Sequence, residues 1–284
     1  MGDPLCISRD LLRPPEGRTL AAFLSAALRP VGQTLYVYGG GWDLHDQGSG
    51  PQSVCPGLSP TWGRFFRRQD AFYDYRLWRG SPPHRWNPYY YAGLDCSGYV
   101  GWAVYSALYA VHGAPGFVYP STSMARSLAG CPGLGTWTVP ETDDYLPGDI
   151  VSIDGHIWIC LGRCPDGSLV ILHSTPSLSR AGRPGGGVQL SGLGRRPDCQ
   201  ATRLAQWYME TRCPAWSLRY PAVSKPWHVY TQFTAPGSGR FRWDLEGGGL
   251  LSDPHDLVKA HPIQILSFLG STPLFLGKSA QKII

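Results

Sequence analysis

Lysine and asparagine are nearly missing from this chain of 284 residues, which has four of the first and a single copy of the second, Asn87. Arginine supplies the other 21 basic residues, yet the net charge is only +5 and no basic run exceeds two residues (Arg67-Arg68, Arg195-Arg196). A protein that reads nucleic acid carries a denser basic stripe, so no nucleic-acid partner is expected. No stretch of about 18 apolar residues occurs, which excludes a membrane-spanning helix. Met1 to Gly17 mixes acids, bases and prolines and lacks the apolar run of a signal peptide. Eight cysteines are too sparse for a disulfide scaffold and point to mostly free thiols and a reducing compartment. Composition fixes no oligomeric state.

What is abundant is glycine and proline, 36 and 26 residues, beside 43% hydrophobic residues. The chain buries a core and spends much of its length in turns. Thr19 to Arg29 predicts a helix, with Thr19 as cap, Leu20, Phe23, Leu24, Ala27 and Leu28 as its apolar stripe, and Pro30 as its stop. Leu35 to Tyr38 is a short apolar run closed by Gly39-Gly40-Gly41. Residues 43–92 are crowded with rings: Trp62, Phe65, Phe66, Phe72, Tyr73, Tyr75, Trp78, Trp86, Tyr89, Tyr90 and Tyr91. The expectation is a small subdomain packing its own aromatics, and the functional alternative is a wall or lid over a site.

The clearest helix begins at Asp95-Cys96, with Val100, Ala103, Val104, Ala107, Leu108 and Val111 on one stripe and Gly113 beyond its end. A shorter helix is expected after Ser121, ending near Gly130. Pro147-Gly148-Asp149 then turns into three short runs, Ile150–Ile153, His156–Leu161 and Leu169–His173, with Asp154-Gly155 and Asp166-Gly167 between them. Aspartate-glycine pairs suit tight hairpins, so these runs predict an antiparallel meander. Pro184 to Gly187 reads as flexible, Gln200 to Glu210 as a helix, Trp227 to Thr234 as a strand and Pro262 to Leu269 as a short helix.

Two familiar catalytic signatures, H-E-x-x-H and G-x-S-x-G, are absent. Gly277-Lys278-Ser279 resembles the end of a phosphate loop, but Thr272 stands where its first glycine belongs. Cys160-x3-Cys164 near His156 and His173 invites a zinc reading. Structural zinc takes two tight ligand pairs, and only one is present, so no metal or cofactor is expected. Cys96 is the stronger candidate. The amides and macrodipole of a helix start favour a thiolate and can bind the oxyanion formed when sulfur attacks an amide carbonyl. His156 begins one strand of the meander and His173 ends a neighbour, which places them side by side. A Cys–His pair needs a third polar group to orient the imidazole. Asn87 precedes the cysteine and cannot follow the base, so His173 is left for that task.

These residues resemble the NlpC/P60 family of papain-like cysteine peptidases. Tyr36-Val37-Tyr38-Gly39-Gly40 is similar to its Y-x-W-G-G, with Tyr38 in place of tryptophan, and Asp95-Cys96-Ser97-Gly98 matches its D-C-S-G nucleophile motif. Pro147-Gly148-Asp149, His156-Ile157 and Leu172-His173-Ser174 resemble its turn, base-bearing strand and last triad segment, in the same order. The resemblance covers residues 19–175 and extends to the late strand at 227–234. It implies an α+β fold, a papain-like core in which a nucleophile helix packs on an antiparallel sheet, with large loop insertions. Residues 1–284 are then a single catalytic domain carrying an aromatic-rich insertion at 43–92, a helical insertion at 176–226 and a C-terminal strand and tail at 227–284. The length of 43–92, the long region after His173 and the absence of a recognisable wall-binding module are departures from the family.

The implied activity is hydrolysis of the γ-D-glutamyl–diamino acid bond of peptidoglycan stem peptides or muropeptides. Cys96 is the nucleophile, His156 the base and His173 its orienter. Tyr36 and the Cys96 amide steady the oxyanion, and Asp95 and Ser97 hold the L-Ala end. Family habit points to secretion and the cell envelope, whereas the thiols point to the cytoplasm. Two other readings stand beside it: a papain-like amidase or acyl transferase on another amide, such as an N-acetylmuramoyl-L-alanine amidase, and a non-catalytic module that binds wall fragments.

Overall fold

Thr19 opens the first helix: its backbone is extended and its hydroxyl accepts a hydrogen bond from the Ala22 amide at 3.1 Å. The helix, α1 (Leu20–Leu28), is almost wholly buried and ends before Pro30, as the pattern predicts. The computed structural model describes residues 18–41, 51–78, 89–108, 116–222, 224–246 and 248–270. Within them lie the helices α2 (Pro60–Arg68), α3 (Cys96–Leu108), α4 (Met124–Ala129), α5 (Gln200–Arg212), α6 (Pro214–Ser217), α7 (Trp227–Tyr230) and α8 (Pro262–Leu269). The strands are β1 (Gly135–Thr138), β2 (Ile150–Ile153), β3 (His156–Arg163), β4 (Leu169–Thr175), β5 (Gly187–Gly194), β6 (Ser224–Pro226) and β7 (Gly239–Trp243). They form one mixed sheet in the order β1-β7-β2-β3-β4-β5-β6, so the chain is α+β.

β2, β3 and β4 make the expected antiparallel meander. Strand alternation then sorts their side chains onto two faces. Ile150, Ile157, Ile159, Val170, Leu172 and Leu190 join the main core with residues of α1, α3 and α5. Val151, Trp158, Cys160, Ile171 and Leu193 form a smaller cluster under Tyr145 and Trp227. His156 and His173 share the parity of this second face.

The short apolar run Leu35 to Tyr38 crosses the start of β5, where Leu35 makes an isolated bridge to Gly187 and the Tyr36 amide donates to the Gly186 carbonyl at 2.9 Å. Other expectations need correction. Trp227 to Thr234 is not a strand. Pro226 sets an extended residue before Trp227, and the chain then coils into α7, closed by the Thr231 hydroxyl on the Trp227 carbonyl at 2.8 Å. α3 is not one-sided: every residue from Cys96 to Val104 is buried, so it runs through the core.

The described part of the aromatic insertion is not a self-contained unit. Residues 51–78 hold α2 between short 3-10 turns, and Trp62, Phe65, Phe66 and Tyr73 belong to the main core. Trp62 meets Trp102 of α3 edge to face, centroids 5.3 Å apart. Residues 176–226 carry α5 and α6 but also β5 and β6, which extend the sheet, and Gly187, read as flexible, begins β5. Trp86, Asn87, Val111, Gly113 and Gly277-Lys278-Ser279 lie outside the described residues. Cys96, Cys131, Cys160, Cys164, Cys199 and Cys213 are free thiols, and Cys55 is disulfide-bonded. Among the described residues no helix is long and apolar enough to cross a membrane.

Candidate active site

Asp95 caps α3. Its Oδ1 accepts the Gly98 amide at 2.7 Å and the Ser97 hydroxyl at 3.2 Å, while Oδ2 accepts the Gly39 amide at 3.1 Å. One carboxylate therefore ties the 39–41 loop to the first turn of the helix, and the Asp95 amide completes the tie by donating to the Gly40 carbonyl at 3.1 Å. The glycines of both motifs follow from this close passage. A Cβ at Gly98 would run into the Gly40 carbonyl oxygen, and one at Gly40 would run into that of Gly93.

Cys96 sits at this junction, 7% exposed. Burial pushes its thiol up to about 12, and Asp95 adds to the rise. The Ser97 and Cys96 amides and the Ser121 hydroxyl act in the opposite direction with smaller effect. The lowered pKa expected from the helix start is thus overturned by desolvation, and the resting group is a thiol. Its side-chain hydrogen-bond partner is Ser121 rather than an imidazole. Tyr36 is also buried, packed edge to face on Tyr75 at 5.0 Å, and its carbonyl accepts the Tyr73 hydroxyl at 2.8 Å. Burial, then Cys96 and Asp95, raise the Tyr36 phenol far above its ordinary range, so it stays a proton donor.

The histidines meet as predicted: His156 Nε2 and His173 Nδ1 are 2.9 Å apart. His173 is fully buried and its Nε2 lies 3.0 Å from the Ser191 hydroxyl. Burial, with the nearby Lys225 ammonium, brings His156 down to about 3 and holds His173 well below the ordinary imidazole range. Both rings are therefore neutral near pH 7.

One hydrogen bond ties the strand of His173 to the helix start, and a ring from α7 covers both imidazoles. Ser174, next to His173, donates its hydroxyl proton to the Leu94 carbonyl at 2.6 Å. Tyr230 of α7 lays its ring against both imidazoles, with centroids 5.5 and 5.9 Å away. Burial raises its phenol far above the ordinary range, and a hydrogen bond with the Thr175 side chain opposes the shift. Tyr230, Lys225, Ser191 and Ser121 were not singled out by the sequence. Tyr230 and Lys225 could have been found only by recognising Pro226 as the stop between a strand and a helical turn.

The Pro147-Gly148-Asp149 turn anchors the sheet. Asp149 is buried, pairs with Arg242 at 2.8 Å and Arg240 at 3.8 Å, and accepts the Leu146 amide at 2.9 Å. Burial raises its carboxyl although Arg242 opposes the shift. A polar cleft of about 470 Å³ between Arg163, Arg195, Arg203 and Trp227 does not include the histidines, and its arginines are engaged with Asp143 and Asp198. Among the described residues no group of three or more His, Cys, Asp and Glu side chains could hold a metal ion. No family model, curated protein or solved structure matches the chain.

Proposed function

We propose that the protein is a papain-like cysteine peptidase of the NlpC/P60 kind that hydrolyses the γ-D-glutamyl–diamino acid bond of peptidoglycan stem peptides. The observation that carries this reading is the pairing of His156 with His173 under Tyr230, on a sheet tied to the start of α3 by the hydrogen bond from Ser174 to the Leu94 carbonyl. A cysteine at a helix start and two coupled strand histidines are the parts that thiol acyl chemistry needs.

Because the thiol is raised and the imidazole lowered, Cys96 attacks as its proton leaves for His156, not from a preformed ion pair. The proton goes to His156 Nδ1, since Nε2 is held by His173. The new S–C bond makes a tetrahedral centre whose oxyanion meets the Cys96 amide and the Tyr36 hydroxyl. Collapse breaks the C–N bond, and His156 returns the proton to the departing amine. Water, deprotonated by His156, then hydrolyses the thioester and restores the thiol. Asp95 and Ser97 border the free L-Ala amine, Asp95 through its negative charge.

The test is to incubate the protein and Cys96→Ala with L-Ala-γ-D-Glu-diaminopimelate and with intact muropeptides, and to read products by mass. Cleavage after D-Glu that is lost in the variant supports the peptidase. Release of an intact stem peptide assigns the amidase instead, and turnover of no acyl substrate rejects both.

A further inference from the structure

We propose that the polar cleft between the end of β3 and the start of α5 binds a phosphate group, held chiefly by Arg163 and Arg203. The cleft has a volume of about 470 Å³ and does not include the histidines, so the proposal stands apart from the peptidase reading. Four guanidiniums line it, those of Arg163, Arg195, Arg196 and Arg203, against the carboxylates of Asp143, Asp166 and Asp198. The partner that each guanidinium meets decides what the cleft can hold.

Arg195 pairs with Asp143 at 2.9 Å and lies over Trp227, its guanidinium carbon 5.3 Å from the ring centroid. Arg196 grips Asp198 with two hydrogen bonds, of 3.2 and 3.1 Å. Asp166 turns instead to the start of α5. Its Oδ2 accepts the Gln200 amide at 2.8 Å, and its Oδ1 accepts the Ser168 amide at 3.0 Å. Burial works against the Asp166 carboxyl, yet hydrogen bonds from Gln200 and Ser168 hold it below its ordinary value, and the Arg203 charge adds to this.

Arg163 and Arg203 donate to backbone carbonyls, those of Asp143 and Asp198. Among the described residues neither makes an ion pair, so each keeps its charge and most of its five donors for a ligand. Gln200 accepts the Asp166 amide at 3.1 Å through Oε1, which leaves its side-chain nitrogen to donate on the same wall. A phosphate monoester answers this arrangement. It carries about −1.5 to −2 charge near pH 7, and its three terminal oxygens accept from several forked donors at once, where a carboxylate offers two. The first amides of α5 are already taken by Asp166 and Ser168, so the arginine forks and not the helix terminus make the site.

Titration of the unaltered protein with inorganic phosphate at fixed ionic strength, followed by proton–nitrogen spectra of the Trp227 indole and the arginine Nε–H groups, tests this. The expected result is saturable shifts at Trp227, Arg163 and Arg203, with acetate binding on the order of tenfold more weakly. Arg163→Met and Arg203→Met each weaken phosphate binding on the order of tenfold, the loss of one charge-assisted contact. Arg196→Met, whose partner is Asp198, leaves it within about twofold. No saturation, acetate binding as tight as phosphate, or a folded Arg203→Met that binds as before overturns the proposal. An equal loss in Arg196→Met also overturns it, because the effect would then be one of overall charge.

Discussion

His156 Nε2 lies 2.9 Å from His173 Nδ1, and both rings are kept neutral by burial and by the positive charge of Lys225. The base is therefore present far below the ordinary imidazole range, because His156 is brought down to about 3. Activity then shows no acid limb near pH 6.5, the ordinary histidine value of about that figure. Lys225→Met removes a charge that lowers both rings, so it raises the His156 pKa and moves the acid limb upward. A pH profile of kcat/KM checks both, and a limb centred near the ordinary value in the unaltered protein would contradict the account.

The same burial acts in the opposite direction on Cys96, whose thiol is pushed up to about 12. Without substrate, iodoacetamide should capture Cys96 on the order of a hundredfold more slowly at neutral pH than it captures a free thiol of ordinary pKa about 8.5. The rate should still be climbing at pH values where a free thiol has levelled off. Peptide mapping of the alkylated protein over a pH series measures this.

Gly98→Ala tests the close passage of the 39–41 loop over α3. The added Cβ meets the Gly40 carbonyl oxygen, and overpacking of this kind costs about 1–3 kcal/mol. Asp95→Ala removes the cap and the tie to Gly39, a loss of about 1–2 kcal/mol. Urea unfolding of both variants gives the size of each loss.

Arg242→Met separates the anchor of the sheet from the site. It strips the main partner from the buried Asp149, for which a loss of about 3 kcal/mol is expected. Calorimetry should show the lost stability, while the tautomers of His156 and His173 in the folded variant stay as they were.

The sequence made the meander, α1, α4, α5 and α8 legible because each has a clean period or a capping residue. The meeting of the two histidines was legible too: His156 begins β3, and His173, two residues inside the end of β4, lies 2.9 Å from it, while Cys96 begins α3 as the helical period implies. Three things were hidden. Trp227 to Tyr230 has the composition of a strand, and only the Pro226 backbone turns it into the helix that carries Tyr230 over the imidazoles. β5 is rich in glycine and serine, so its apolar pattern is thin, yet it supplies Ser191 and Gln189. The thiol's electrostatics were hidden as well, since a helix start argues for a low pKa and only burial reveals the larger opposing effect.

The most direct test of Cys96 and His156 as an acyl-transfer pair is labelling by a diazomethyl ketone of L-Ala-γ-D-Glu, read by peptide mapping. The account predicts one label per chain, on Cys96, absent from Cys96→Ala and much slower to form in His156→Gln. A label on Cys131 or Cys213 instead, or equal labelling of Cys96 with and without His156, would contradict it.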